Sequence, residues 1–202
     1  REQGIKVLLS GAGGDDLLTG YRRHHALELE KIYSWLPRFG KKIISQSSTL
    51  LSQKFHWGRR LAKFLGGAEL DSNLRMINYF KWIQRSDLES LFSDEFRIAL
   101  GESELDLPMI NFLESLPPTS CRLEGMLGLE QRFFLADHNL NYTDKMSMAA
   151  GVEVRVPFLD LELVDYAATI PNNLKLNRGE GKWILKKAME PYLPKEIIYR
   201  PK

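Results

Sequence analysis

Residues 6–21 constrain the fold of this chain more than any other stretch. They overlap a short apolar run, residues 5–9, which is typical of a strand buried on both faces. The glycine-rich residues 10–14 follow, and they let the backbone turn sharply because glycine has no Cβ. A helical pattern then begins with Asp15 and Asp16. The sequence therefore predicts a strand, a tight turn and a helix in immediate succession.

Local chemistry gives this turn two interpretations. A helix that starts after a glycine-rich turn presents unpaired N–H groups that attract anions. Two acids beside a phosphate would need a divalent cation between them, and oxygen ligands suit Mg²⁺. Alternatively, Asp15 is an ordinary N-cap of a tight strand-to-helix connection. Neither a Walker A pattern nor a G-x-G-x-x-G fingerprint is present, so both interpretations stay open at this point.

Composition excludes several classes of partner. The 202 residues suffice for one large domain or two small ones, and the net charge of +2 does not favour a polyanion partner. The single cysteine, Cys121, excludes an intrachain disulfide and fits a reducing compartment. No apolar run approaches the roughly 18 residues of a membrane span. We therefore expect a cytoplasmic protein that binds neither membrane nor nucleic acid, with the basic and aromatic residues 54–63 as the one alternative nucleic-acid surface.

Helical patterns dominate the rest of the chain. The periodicity predicts helices over residues 22–36 and 41–65, several short helices over 68–118, and a long helix over 119–136. We find no catalytic constellation between residues 38 and 118. The adjacent His24 and His25 face about 100° apart on a helix and are expected to be ordinary surface or rim histidines. Strand candidates are few, so the sequence predicts a mainly α structure.

Polar residues become dense from residue 137 onwards. Glu153, Arg155 and Asp160 alternate with apolar residues, which is typical of a half-buried extended segment. We expect Glu153 and Arg155 to pair with each other, or with Asp144 and Lys145, in a buried polar network. Helices are predicted for residues 160–170 and 181–190.

Three separated segments together resemble the asparagine synthetase family. Residues 10–21 are similar to its S-G-E-G-x-D-E-x-x-x-G-Y motif, and residues 144–160 to its D-R/K-x-S-M-A…E-A/V-R-x-P-F-L-D block. Residues 181–202 are similar to its G-K-x-x-L-R/K-x-A…L-P-x-x-I/V-x-x-R-x-K ending. Order, spacing and residue type agree at both ends of the chain. Only the middle third is unmatched.

The resemblance implies a fold and a place within a larger protein. Residues 1–202 would be the C-terminal part of the synthetase domain. They would form a mainly α fragment of an α/β ATP-pyrophosphatase domain (adenine nucleotide alpha hydrolase-like), with one or two strands retained and the N-terminal part of the sheet missing. The family's pyrophosphate loop and its glutaminase domain normally lie upstream, which agrees with a chain that lacks an initiator Met. We therefore expect a fragment that is inactive alone, and a homodimer formed through the full-length protein.

The resemblance also implies an ATP-dependent carbon–nitrogen ligase with small-molecule substrates. In the family a carboxylate, aspartate in the type member, attacks the α-phosphate of ATP to give an acyl-adenylate and pyrophosphate. Ammonia from glutamine then displaces AMP and forms an amide. Negative charge develops on the phosphoryl oxygens, so Mg²⁺ and lysines should converge there.

Roles for individual residues follow from the same resemblance. Asp15 matches the family aspartate that holds Mg²⁺ on pyrophosphate. Lys202 matches the mobile-loop lysine that stabilises the α-phosphoryl transition state, and Lys145 lies where the family places Lys or Arg near the nucleotide phosphates. Glu153, Arg155 and Asp160 belong to the signature and are expected to shape the site. The residues expected to line the nucleotide are Ser10, Gly11, Gly13, Gly14 and Asp15.

Two positions depart from the family pattern. Ala12 stands where the family has an acid that is thought to deprotonate the attacking amine, and Asp16 replaces a glutamate. Alanine cannot carry a proton. The sequence therefore leaves open a related amide ligase acting on another acceptor, such as a sugar acid or a β-lactam precursor, and a catalytically inactive binding module.

Overall fold

The computed structural model describes residues 4–37, 39–43, 64–65, 67–83, 85–101 and 105–200. The predicted basic and aromatic surface at 54–63, most of the predicted helix at 41–65, and Lys202 lie outside the described residues. The chain divides into two compact units, one formed by Arg1–Glu28 with Thr119–Lys202 and the other by Leu29–Pro118. Within the described parts, no helix is long and apolar enough to cross a bilayer.

Short helices make up most of the described chain, with four short strands. The first part contains β1 (Val7–Leu9), α1 (Gly14–Leu18), α2 (Arg22–Leu29), α3 (Lys31–Ser34), α4 (Ser72–Asn78), α5 (Arg85–Glu89), α6 (Asp94–Leu100) and α7 (Leu107–Ser115). The second part contains α8 (Arg122–Leu129), a π-helix (Glu130–Leu140), α9 (Asn141–Ala149), β2 (Glu153–Arg155), a 3₁₀ turn (Pro157–Leu159), α10 (Leu161–Thr169), α11 (Asn172–Lys175), β3 (Leu176–Asn177), β4 (Glu180–Gly181), α12 (Trp183–Met189) and α13 (Lys195–Ile198).

The strands β1 and β2 pair in parallel, which places the strand before the glycine turn beside residues 153–155. Val7 lies opposite Glu153, and Leu9 opposite Arg155. The prediction that this strand is buried on both faces is wrong for the described chain. Leu9 is 75% exposed, because β1 pairs only with β2 among the described strands and both of its faces stay open to solvent.

The core of the first unit forms around α1. Leu17 and Leu18 are buried with Ala167 of α10. Partly buried apolar side chains from the 3₁₀ turn, α10 and α12 surround them, namely Leu159, Val164, Ile170, Ile184 and Leu185. A helix as short as α1 is not stable by itself in water. Its position is therefore set by this packing.

One long helical segment runs from α8 through the π-helix into α9. The sequence predicts its start close to the observed one, but it ends the helix near residue 136, whereas helical structure continues to Ala149. Met126, Leu129 and Leu135 are buried along it. The rise in polar residues after 136 therefore reflects an exposed helix surface and not the end of the helix.

The second unit has its own small core and a buried charge cluster. α4 packs against α7, and Met76 and Ile77 of α4 are buried. Glu30 accepts a hydrogen bond from the Tyr79 hydroxyl at 2.8 Å and pairs with Arg75 Nε at 3.2 Å. These contacts bind the start of the unit to α4. The prediction of a scaffold without catalytic groups in the middle third stays a prediction.

Candidate functional site

Backbone and hydroxyl hydrogen bonds close the turn between β1 and α1. The Ser10 amide continues the ladder by donating to Arg155 O at 2.8 Å. The Ser10 hydroxyl accepts a hydrogen bond from the Ala12 amide at 3.2 Å, as serine commonly does in turns. The Gly14 amide donates to Gly11 O at 3.3 Å. The turn is thus held by its own residues and by β2.

The glycines of this turn have different surroundings. Gly13 has a positive φ of 90°, and a Cβ there would lie 2.4 Å from the Leu159 side chain. A Cβ on Gly14 would lie 3.4 Å from the ring of Phe158. Gly11, in contrast, is exposed and has open space around its Cα. Gly13 and Gly14 thus let the turn pack against the second segment, and Gly11 leaves room for a ligand.

Asp15 lies in the first turn of α1, and its carboxylate faces Lys182 in the third motif segment, residues 181–202 (hereafter the third segment). The helix begins at Gly14 with Gly13 as its N-cap, so the N-cap interpretation of Asp15 is wrong. Asp15 Oδ1 instead pairs with Lys182 Nζ at 2.7 Å, and both side chains are about three-quarters buried. A Cβ on Gly20 would lie 1.6 Å from Asp15 Oδ1, which explains a glycine at that position.

The end of α1 meets the third segment through two non-glycine residues in the left-handed region. Thr19 has φ 66° and Lys182 has φ 55°, conformations that cost energy and persist where surrounding contacts fix them. The Lys182 amide donates to Leu18 O at 2.8 Å, and the Thr19 hydroxyl donates to Lys175 O at 2.7 Å. A Cβ on Gly181 would lie 2.0 Å from Thr19 O.

A cavity of about 620 Å³ lies beside this junction. One part of its wall is apolar and is formed by residues of α12 and the C-terminal segment. The other part carries positive charge from Lys182, Lys186 and Arg200, with Glu180 paired to Lys186 at 2.7 Å. Burial lowers the pKa of the lining His25, and the neighbouring His24 lowers it further. This wall suits an anion that has an apolar portion.

Asp16 does not line the cavity and is buried, with 1% of its surface exposed. Both of its carboxylate oxygens lie 3.3 Å from the Tyr21 hydroxyl. Burial, and then the carboxylate of Glu130, raises the pKa of Asp16 to about 6 from 3.8. Burial and the Asp16 carboxylate raise the pKa of the Tyr21 phenol. The hydroxyl therefore stays protonated and can donate to Asp16.

Glu130 of the π-helix binds the start of α2. It accepts a short hydrogen bond from Arg23 Nε and contacts His24 Nε2 at 2.8 Å. The other ring nitrogen of His24 accepts from the Tyr21 amide at 3.2 Å. The expectation of a surface or rim histidine is thus wrong for His24, which is fully buried because Glu130 and the Tyr21 amide satisfy both of its nitrogens.

The remaining predicted site residues lie at different places. Lys145 is exposed on α9, the helix that packs against β2. Arg155 pairs with Glu153 at 2.8 Å, which confirms that pairing, but both side chains are more than half exposed and the expected burial is wrong. Asp160 caps α10 by accepting from the amides of residues 162 and 163. Lys202 lies beyond the described residues.

Sequence reasoning missed Lys182, Tyr21 and Glu130 as members of the site's environment. Lys182 and Tyr21 stand inside the quoted motifs, so their place in the pattern was a usable signal. Glu130 lies 107 positions from its partner Arg23. An isolated glutamate in a helical pattern gives no indication of such a contact.

Asp15 supplies one carboxylate that could bind Mg²⁺ together with a phosphate ligand. No group of three or more His, Cys, Asp or Glu side chains suited to a metal occurs in the described parts of the chain. Mg²⁺, however, is commonly bound by one or two carboxylates together with substrate phosphates and waters. Asp15 fits that mode, because it lies beside Lys182 and close in sequence to the exposed Gly11. A bound phosphate and waters would supply the remaining oxygen ligands.

Comparisons with known proteins support the resemblance that the three motif segments carry. The family model described as asparagine synthase matches residues 1–202. "Asparagine synthetase [glutamine-hydrolyzing] 3" of Bacillus subtilis is 37% identical over 205 aligned positions, covering 97% of this chain and 25% of that protein. "Asparagine synthetase [glutamine-hydrolyzing] 1" of the same organism is 28% identical, covering 98% of this chain and 30% of that protein. In Lotus japonicus, "Asparagine synthetase [glutamine-hydrolyzing] 2" is 48% identical over 67 residues, covering 29% of this chain and 11% of that protein.

The chain thus spans less than a third of the length of these relatives. No solved structure gives a significant match. The family model covers the glycine turn, the segment around β2 and the lysine-bearing third segment that meet at α1. The chain belongs to the asparagine synthase family.

Proposed function

We propose that this chain is the C-terminal part of the synthetase domain of an ATP-dependent, glutamine-hydrolysing amide ligase. It would form the mainly α portion of an ATP-pyrophosphatase domain, with ATP and Mg²⁺ as cofactors. The single observation that carries the proposal is the meeting of the three motif segments around α1, where the carboxylate of Asp15 and the ammonium of Lys182 lie 2.7 Å apart. The relatives named above are glutamine-hydrolysing asparagine synthetases, which supports the same reaction class.

The chemistry requires positive charge where phosphoryl oxygens become more negative. A substrate carboxylate oxygen attacks the α-phosphorus of ATP, and the bond to pyrophosphate breaks to leave an acyl-adenylate. Ammonia then attacks the acyl carbon, loses a proton and expels AMP. When bound, Mg²⁺ would offset charge on the pyrophosphate. Aspartate, or another small carboxylate, is the proposed acceptor.

Each candidate site residue has a proposed role. Asp15 would hold Mg²⁺, and Lys182 would exchange its carboxylate partner for a phosphate oxygen when nucleotide binds. The turn residues Ser10, Gly11, Gly13 and Gly14 would lie along the phosphates. Lys145 would add positive charge near the nucleotide. Lys202, which follows the cavity-lining Arg200 by two positions, would stabilise the transition state.

The test is pyrophosphate release by the intact protein that contains this chain, with ATP, Mg²⁺, glutamine and aspartate. Asp15→Asn should lower kcat/KM at least about 100-fold, because a ligand of the metal is lost. The matched control is Asp165→Asn on the exposed surface of α10, which should leave the rate unchanged. Equal rates for both variants would contradict the proposal. For Lys202→Ala we expect loss of adenylation with ATP binding retained, since its charge acts mainly in the transition state.

Ala12 favours a second candidate, a related ligase with another acceptor. Its side chain has no ionisable proton, and its amide donates a hydrogen bond to the Ser10 hydroxyl within the turn. A panel of carboxylates, including sugar acids and β-lactam precursors, assayed for pyrophosphate release would separate the candidates. Asparagine formation at normal turnover would reject this second candidate. A catalytically inactive module would release no pyrophosphate with any acceptor, and Ala12→Glu would not restore activity.

A further inference from the structure

The π-helix Glu130–Leu140 brings two distant side chains onto one face. Glu130 and Asn139 are nine residues apart, which in an α-helix amounts to about two and a half turns and places them on opposite faces. A helix closed by i→i+5 hydrogen bonds has about 4.4 residues per turn, so the same interval is about two full turns. Both side chains therefore point to the same side of this helix. Long π-helical runs are rare.

Both of these side chains contact residues 21–24, where α2 begins. Asn139 Nδ2 donates to the Tyr21 hydroxyl at 3.1 Å. Glu130 binds Arg23 and His24, as described above. The Arg23 guanidinium lies 4.2 Å from the centroid of the Tyr21 ring, a distance at which a cation is attracted to an aromatic face. The Tyr21 ring is thus fixed at its hydroxyl and on its face.

The contacts continue from Tyr21 to the carboxylates of α1. The Tyr21 hydroxyl bonds the buried Asp16, and Asp16 is the neighbour of Asp15 on a helix of five residues. Adjacent residues on a helix point about 100° apart. Holding the Asp16 side chain therefore adds to the core packing of α1 a restraint on the rotation of this helix about its axis, and with it on the direction of Asp15 towards Lys182. Without that bond, the buried carboxylate would lose a hydrogen-bond donor in a low-dielectric interior.

We propose that Tyr21 is a positioning residue of the candidate site, held by Asn139 and Glu130 of the π-helix, and that it aligns the Asp15 carboxylate with the Lys182 ammonium. Tyr21 would touch neither nucleotide nor acceptor. It acts through Asp16. Its value to catalysis rests on the function proposed above, whereas the alignment of Asp15 with Lys182 does not.

The test uses the intact protein with Tyr21→Phe, which removes one oxygen and keeps the ring. The matched control is Tyr142→Phe, at an exposed tyrosine of the same long helical segment. The first readout is the Nζ resonance of Lys182 in protein labelled at lysine, assigned with Lys182→Met. Asp15→Asn gives the position of this signal when the ion pair is absent.

We expect Tyr21→Phe to move the Lys182 signal more than half of the way to its position in Asp15→Asn, and Tyr142→Phe to leave it in place. Asn139→Ala, which removes the donor to Tyr21, should move the signal in the same direction. A signal that stays at the wild-type position in folded Tyr21→Phe would overturn the proposal. If Tyr21→Phe does not fold, an unmoved signal in folded Asn139→Ala would overturn it equally.

The second readout is ATP affinity with Mg²⁺ and with a chelator. In Tyr21→Phe, the gain in ATP affinity that Mg²⁺ provides should be about tenfold smaller than in the wild type, which is the amount expected for one charge-assisted hydrogen bond. The ATP affinity measured without metal should change less than twofold. A merely structural role would weaken both affinities alike and would contradict the proposal. If the wild-type protein does not bind Mg·ATP, the proposed function fails, and the Lys182 signal still decides the role of Tyr21.

Discussion

Asp16→Asn provides a direct test of the buried carboxylate chemistry beside the candidate site. The unfolded chain gives up this proton near its ordinary pKa of 3.8, and the folded chain keeps it until about pH 6. Between these values the folded state binds more protons than the unfolded state. Stability must therefore fall as pH rises through this interval, and the loss is complete above the folded pKa.

The magnitude follows from the two values. At about 1.4 kcal/mol per pH unit, the interval from 3.8 to about 6 corresponds to about 3 kcal/mol. The side chain is 1% exposed, so solvent screening does not reduce this figure as it does at a surface. Its charged neighbours are Glu130 of the π-helix and Asp15 of its own helix, and both raise the pKa.

The assay is urea unfolding in steps from about pH 3.5 to about pH 7, with peptide-level hydrogen exchange to follow the first unit separately. Asp16→Asn removes the titrating group. Its free energy of unfolding, relative to wild type, should rise by about 3 kcal/mol across this range. Asp165→Asn, the exposed control, should follow the pH dependence of the wild type. Parallel curves for wild type and Asp16→Asn would refute a raised pKa at this position.

Three further predictions concern the junction of α1 with the third segment. Gly20→Ala places a Cβ 1.6 Å from Asp15 Oδ1; the carboxylate must move, and urea unfolding should show a loss of about 1–3 kcal/mol. Gly181→Ala places a Cβ 2.0 Å from the backbone oxygen of Thr19, which cannot rotate away, so thermal denaturation should show a larger loss or no folded protein. Lys182→Met removes a partly exposed ion pair and should cost at most about 1 kcal/mol in unfolding free energy, whereas calorimetry should show ATP affinity falling by more than tenfold.

Gly11→Ala serves as the control for the glycine substitutions. Its Cα has open space around it, so the variant should keep the wild-type unfolding free energy within about 0.5 kcal/mol. If Gly11→Ala destabilises the protein as much as Gly20→Ala, close approach is not the reason for the glycine at position 20. If it also weakens ATP binding, that result supports a ligand at the open side of the turn.

The sequence was informative where local chemistry decides the structure. The strand, turn and helix at the start of the chain were predicted from glycine content and apolar runs, and α10 (Leu161–Thr169) lies within the helix predicted over residues 160–170. The family motifs indicated that the two ends of the chain share one site. That shared site stays a prediction; Lys182 and Asp15 lie 2.7 Å apart, a contact that neither spacing nor periodicity could give.

The sequence failed where distant partners decide. Burial of β1 depends on which strands and helices cover it, and an apolar run is the same with or without them. The burial of His24 depends on Glu130, more than a hundred positions away. The π-helix was not predicted, because the apolar periodicity was interpreted with the 3.6 residues per turn of an α-helix. A helix with more residues per turn moves each later residue to another face.

The hydrogen bond from Thr19 to Lys175 spans 156 positions, and this separation has a consequence for biosynthesis. At about 5–20 residues per second, the ribosome adds the later partner roughly 8–30 s after the earlier one. During that delay the emerging glycine turn has no docking surface, and closing so long a loop is slow. The residues of the glycine turn must therefore acquire their final geometry after nearly all of this chain has been translated.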